Sequence, residues 1–300
     1  MLVDIFLSLI VFPALWNAQF NFDGFLNLNN QTVGAQIQEK TPQRLYTDYL
    51  DVKISAKSAI AVDSQSGKIL YKKNPEQILP IASITKLMTA LVFLDYNPGW
   101  QKEFFTIASD RRNGGIIYLN TGELLSMDNL FKTALIVSDN DSAMALARST
   151  GLNEQEFIAK MNDKAKELGL LNSKFVDPTG LKLDNQSNAS DLAKLLAFAL
   201  QKEAIQKTTS TAYYEFEVQG EDKTRTVKLR NTDLLLKSYL NVLGGKTGSL
   251  EEAGYCLAVK VKGEQNQEII VIVLGSQTNT DRFQDIKAIS DWVFNNYQWK

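Results

Sequence analysis

Apolar and β-branched residues over 58–71 flank the polar run Asp63-Ser64-Gln65-Ser66-Gly67, which predicts a β-hairpin closed by a glycine-containing turn. An unbroken apolar run over 84–94 follows and ends at Asn97-Pro98-Gly99, the pattern of a buried helix with a clear stop. Gly114-Gly115 introduces Ile116-Ile117-Tyr118-Leu119, and Thr121-Gly122-Glu123 turns the chain. Ser126 then reads as an N-cap, with Leu130, Phe131, Ala134, Leu135 and Val137 at helical spacing behind it. A further helix is predicted over 141–149. Asn153 and Glu156 make a capping-box start for another, with Gly169 as its stop. Asp177-Pro178-Thr179-Gly180 is a turn, and 190–203 is helical. Strand patterns resume at 213–218, 224–229, 255–261 and 268–274. A closing helix from Asp281 carries Phe283, Ile286, Ile289 and Val293 on one face. Strands, then helices, then strands again: the organisation is α/β of the α+β kind, with a helical block inserted between early and late strands.

Composition narrows the chemistry. Three hundred residues, 44% hydrophobic and 22% charged, suffice for one large or two modest domains with a real core. A net charge of −2 argues against nucleic acid as a partner. Histidine is absent, so no Ser-His-Asp or Cys-His machinery and no histidine metal site can be built. A hydrolase made from this chain must take its base from Lys, Asp, Glu or Tyr. The single Cys256 lies in an apolar stretch and reads as a small buried hydrophobe. Residues 5–15 are apolar apart from Ser8 and Pro13, and the first basic residue is Lys40. That run suits a signal-peptide core or N-terminal anchor over 1–20, with export out of the cytoplasm and membrane association at the N-terminus as its corollaries. The stretch that follows, rich in Asn, Gln and Thr, reads as a spacer over 21–55. Residues 56–300 hold the predicted strands and helices as one folded unit, its helical block at about 80–205.

Three short patterns carry candidate chemistry. Ser83-Ile84-Thr85-Lys86 places a hydroxyl at a helix start and an amine one turn on, on the same face. Serine needs a base, and lysine can serve as one when burial or a neighbouring cation lowers its pKa. Ser138-Asp139-Asn140 falls between two helices, where it could aim side chains into a cleft or simply cap the second helix. Lys246-Thr247-Gly248 follows Gly244-Gly245. It reads either as a glycine-rich turn with an exposed lysine or as a strand edge at which the two glycines let a bound chain approach.

Together and in this order, Ser-x-x-Lys, Ser-Asp-Asn and Lys-Thr-Gly are the signature of penicillin-binding proteins and class A β-lactamases. The stretches GGIIYLNTGELLSMDNLFKTALIVSDNDSAMALA, FVDPTGL and GGKTGSLEEAGYCLA extend the likeness. On these residues the chain resembles the serine-type D-alanyl-D-alanine carboxypeptidases over about 56–275. The resemblance implies an antiparallel sheet of about five strands flanked by helices, with an all-helical subdomain and the active site between the two parts. It implies cleavage of peptidoglycan stem peptides ending in D-Ala-D-Ala, β-lactam antibiotics as covalent inhibitors, and no metal or organic cofactor. By the same resemblance Ser83 is the nucleophile and Lys86 its base. Ser138 passes the proton to the leaving amine, and Asn140 orients the substrate amide. Lys246 and Thr247, with Gly248 and Ser249 beside them, bind the substrate's carboxylate end, and the N–H groups of Ser83 and Ser249 form the oxyanion hole. Two departures keep other readings open. Asp139 follows Ser138, as in class A β-lactamases, although no Glu-x-x-Leu-Asn lies between the second and third motifs. A non-catalytic module that binds β-lactam or peptidoglycan would share the pocket. Many relatives also carry a further β-rich domain and an amphipathic anchor, which have no counterpart in these 300 residues.

Overall fold

A computed structural model describes residues 41–45, 52–220 and 223–300. The apolar N-terminal run lies outside these residues. Its central feature is a fully antiparallel sheet of five strands. The hairpin supplies β1 (Ser58–Asp63) and β2 (Ile69–Lys73), and the end of the chain supplies β3 (Asn241–Leu250), β4 (Gly254–Lys262) and β5 (Glu268–Ser276), in the order β3-β4-β5-β1-β2. The continuous apolar run of β5 has a simple reason: both faces of the sheet are covered. Ile269, Val271 and Val273 join one core and Ile270, Ile272 and Leu274 the other, in strict alternation.

The first core packs against α1 (Thr85–Asp95), α2 (Met127–Ile136), α3 (Asn140–Ser149), α4 (Glu154–Glu167), α5 (Ala189–Ala199) and α6 (Glu203–Thr209), all of which fall between β2 and β3 in the sequence. The second packs against α7 (Asn279–Asn296), whose Phe283, Ile286, Ile289 and Val293 are buried, as their spacing predicted. Each such apolar side chain contributes roughly 1.5–3 kcal/mol on burial. The expected caps are present: Ser126 accepts from the Asn129 N–H, and Asn153 and Glu156 form a reciprocal capping box.

Three features differ from the reading of the sequence. The strands Tyr213–Gln219 and Thr224–Arg230 do not enter the central sheet; they join Glu103–Phe105 and Leu124–Ser126 in a separate four-stranded sheet beside the helices. The helix expected over 190–203 stops at Ala199, and α6 begins at Glu203. Pro42–Arg44, inside the expected spacer, pairs antiparallel with Tyr297–Trp299. Three residues are too few to show alternation, and the pairing depends on a partner more than 250 residues away.

Among the described residues no helix is long and apolar enough to cross a membrane.

Candidate active site

Ser83 sits in a single 3₁₀ turn, Ala82–Ile84, that leads directly into α1. The Lys86 side chain is buried, and its Nζ has three partners. Ser83 Oγ lies at 2.8 Å, Asn140 Oδ1 at 2.7 Å and the Thr179 carbonyl oxygen at 2.8 Å. Two of these can only accept. A neutral amine has two N–H bonds and one lone pair, so with both N–H bonds given to Asn140 and Thr179 the lone pair is left facing the Ser83 hydroxyl. Burial lowers the Lys86 pKa to about 7, against the opposing pull of the Asp139 and Asp177 carboxylates. A free lysine is neutral at pH 7 only about once in a few thousand molecules, whereas this one is neutral about half the time.

The second motif divides its labour. Asp139, not Ser138 or Asn140, caps α3 by accepting from the Ser142 N–H at 2.7 Å, which frees the residues on either side. Asn140 uses its oxygen on Lys86 and donates from Nδ2 to the Gly114 carbonyl at 3.1 Å. Ser138 adopts a left-handed backbone with φ of 63°, and its buried Oγ has no hydrogen-bond partner within the protein. The loop that carries Gly114 is pinned at both ends. Glu123 takes a two-pronged hydrogen bond from Arg225, which also donates to the Tyr118 carbonyl, and Asp141 holds Arg111 at 2.7 Å and the Arg112 N–H at 2.8 Å.

Lys246, Thr247 and Gly248 lie inside β3, the edge strand of the sheet, rather than in a turn. The sequence hides this strand because glycines and polar residues break its alternation, and a register shift falls between Val242 and Gly244. The glycines also play other parts than expected. Gly244 presses against α6, where an added Cβ would lie 2.7 Å from Thr209 Oγ1. Gly248 faces the nucleophile turn, its added Cβ 2.8 Å from the Ile81 carbonyl and 3.2 Å from the Ser83 nitrogen. Ser83, Ser138, Asn140, Thr247, Gly248 and Ser249 line one cleft of about 270 Å³. Lys246 is buried beside it, its pKa well below the usual lysine value through burial first, then repulsion from Lys86 and Arg282, with Asp233 opposing. All eight residues expected from the motifs are thus gathered at one place.

The sequence did not disclose three further groups. Arg282, in the first turn of α7, lines the same cleft and donates to the Gly248 carbonyl at 3.0 Å. Thr232 shares a hydroxyl–hydroxyl hydrogen bond of 2.6 Å with Thr247. The third group is the 177–180 turn, which supplies the Thr179 carbonyl to Lys86. Asp177 gathers the N–H groups of Thr179, Gly180 and Lys182, the Thr179 hydroxyl and the Asn185 amide, and Thr89 on α1 donates to the Pro178 carbonyl at 2.6 Å. Burial would push the Asp177 pKa up, but these hydrogen bonds outweigh it and hold the carboxyl below its ordinary value. The Asp-Pro-Thr-Gly pattern was the available signal, but it announces a turn and not what the turn touches.

Gly180 makes the closest approach of all. Its φ is 85°, and an added Cβ would lie 2.0 Å from the Ala82 carbonyl oxygen, which is backbone and cannot swing aside. Gly180→Ala is therefore expected to cost about 3 kcal/mol or more, a fall in Tm of roughly 6–12 °C in thermal unfolding. A shift within 2 °C would show that the turn has room to move.

Comparison with known proteins places this geometry in context. The family model described as D-alanyl-D-alanine carboxypeptidase matches residues 41–278. The D-alanyl-D-alanine carboxypeptidase DacF of Bacillus subtilis is 36% identical over 249 residues, covering 81% of this chain and 63% of the relative. The D-alanyl-D-alanine endopeptidase of Pseudomonas aeruginosa is 33% identical over 248 residues, covering 81% and 79%. Among solved structures, the Streptomyces K15 DD-transpeptidase superposes with a TM-score of 0.78 at 28% identity, over 82% of this chain and all of that one. Penicillin-binding protein D2 of Listeria monocytogenes, in a cefotaxime-bound form, gives 0.72 at 29% identity with the same coverage.

Proposed function

The chain belongs to the D-alanyl-D-alanine carboxypeptidase family, and from that premise we propose that it is a serine carboxypeptidase that removes the terminal D-alanine of peptidoglycan stem peptides through an acyl-enzyme. One observation carries the reading. The Lys86 amine has two partners that can only accept and a third, the Ser83 hydroxyl, that can donate to it.

Ser83 passes its proton to Lys86 Nζ as Oγ attacks the carbonyl between the two D-alanines. The developing oxyanion is taken by the N–H groups of Ser83 and Ser249, which the close approach of Gly248 to the Ser83 nitrogen brings together. The proton travels from Lys86 through the Ser138 hydroxyl to the departing nitrogen, so D-alanine leaves with an uncharged amine and its carboxylate, and the acyl group stays on Ser83. Water, deprotonated by the same route in reverse, releases the shortened peptide. Lys246, Thr247 and Arg282 meet the terminal carboxylate, and Asn140 orients the scissile amide as well as Lys86. The open edge of β3 offers backbone groups to the peptide by strand addition. In the same reading 56–300 is the catalytic domain, and 1–20 exports the chain or holds it at the outer face of a bacterial membrane.

D-alanine release from a diacyl-D-Ala-D-Ala peptide, followed beside the same peptide with its terminal carboxylate amidated, tests this. Release is expected from the free acid and a fall of at least about a hundredfold from the amide, since the cationic end then faces no charge. Equal rates from both would dismiss the carboxylate assignment, and no release from either would dismiss the activity. Relatives named as endopeptidases at 33–34% identity favour a second reading, cleavage of cross-links, in which the leaving amine belongs to a neighbouring stem. A cross-linked dimer in the same assay separates the two.

A further inference from the structure

Asp233 precedes a 3₁₀ turn, Leu234–Lys237, and caps it: its Oδ1 accepts the Leu235 N–H at 2.9 Å. Its own N–H donates to Asn231 Oδ1 at 2.9 Å. Capping needs one acceptor oxygen and no charge, and asparagine or serine would do as well. Yet a carboxylate stands here, only 3% exposed, and no protein group hydrogen-bonds its second oxygen. Burying a carboxylate is costly unless opposite charges face it. The charges that act on it are Lys246 from β3 and Arg282 from α7, and Nε of that arginine is likewise buried without a partner. The adjacent Thr232 ties this loop to β3 through Thr247.

Three cations converge on the site: Lys86 from α1, Lys246 from β3 and Arg282 from α7. Asp139 and Asp177 act on Lys86. Asp233 is the carboxylate that acts on both Lys246 and Arg282. We propose that Asp233 is a positioning residue for the reaction, the counter-charge that keeps the Lys246 ammonium protonated, beside Arg282, for the carboxylate end of the substrate. This rests on the carboxypeptidase reading above and adds to it.

The direction follows from the charges. Lys246 is pressed towards its neutral form by burial, by Lys86 and by Arg282, and Asp233 opposes all three. Burial raises the Asp233 pKa to about 6, so the carboxylate is charged at neutral and alkaline pH. Removing that charge lets Lys246 deprotonate at lower pH. Lys86, which governs the acid side, feels the Asp139 and Asp177 carboxylates rather than Asp233, so that limb stays where it is.

The test is the pH dependence of kcat/KM for D-alanine release, pH 5.5 to 10, in the wild type and Asp233→Asn, which keeps the cap and loses the charge. The alkaline limb is expected to move down by about one pH unit, with release about tenfold slower above it and the acid limb unmoved. A wild type that releases no D-alanine would remove the underlying reading before the variant is considered. An active, folded Asp233→Asn with an unshifted alkaline limb, or one shifted upward, would overturn this proposal alone. Should Asp233→Asn fail to fold, Asp233→Ser, which keeps a hydroxyl acceptor for Leu235, is read by the same criterion.

Discussion

Replacing Ser83 by alanine is expected to abolish covalent labelling by a fluorescent penicillin and to cut D-alanine release by about 10⁴-fold or more, with little change in Tm. The loss of labelling is categorical, because no other hydroxyl in the cleft stands against a deprotonated amine. Ser138 Oγ is buried without a hydrogen-bond partner, and Thr247 Oγ1 is engaged with Thr232. The size of the kinetic loss follows from removing the nucleophile of a unit whose members act together. Stability is spared because Ser83 is only partly buried and Lys86 keeps two of its three partners. In the wild type the penicillin adduct is expected to be long-lived, since none of the residues lining the cleft is a carboxylate placed to activate water. Rapid turnover of penicillin would point instead to a β-lactamase. Gel fluorescence and a D-alanine assay on the same preparations decide both points.

Lys86 should govern the acid side of the pH profile. As base it must be neutral, and with a pKa of about 7 it is protonated progressively below that value. Acylation by penicillin and kcat/KM for peptide are therefore expected to fall about tenfold per unit as pH drops below 7. Lys86→Arg holds a permanent cation beside Ser83 and is expected to lose about 10²–10⁴-fold at every pH, without regaining activity as pH rises. The measurement is the acylation rate across pH 5–9 in both proteins. An acid limb that persists in Lys86→Arg, or its absence from the wild type, would assign the base elsewhere. The same shift has a signature in stability. Lysine binds its proton less readily in the folded chain than in the unfolded one, so this group makes folding more favourable as pH rises from about 7 towards 10.5.

The parts of this site that were legible in the sequence are those fixed by local geometry. Ser83 and Lys86 are one helical turn apart wherever the helix is placed, and Ser138 and Asn140 stand in a three-residue link between two helices, although only the structure shows that Asp139 is the cap. The core face of α7 was legible for the same reason, as a period of 3.6, and β5 as a short unbroken apolar run. What stayed hidden depends on partners distant in the sequence. The Thr179 carbonyl reaches Lys86 across 93 residues, and Arg282 reaches Gly248 across 34. The edge strand that carries Lys246 was masked by its own glycines, which serve close contacts and so erase the alternation that announces a strand.

The backbone at Ser138 carries one more implication. A left-handed conformation strains any residue with a Cβ by roughly 1–2 kcal/mol, and glycine would relieve it at once. Serine nonetheless occupies the position, with an oxygen to which no protein group hydrogen-bonds. Roughly 1–2 kcal/mol of stability is thus forgone to keep a hydroxyl at the position that the proposed proton path runs through.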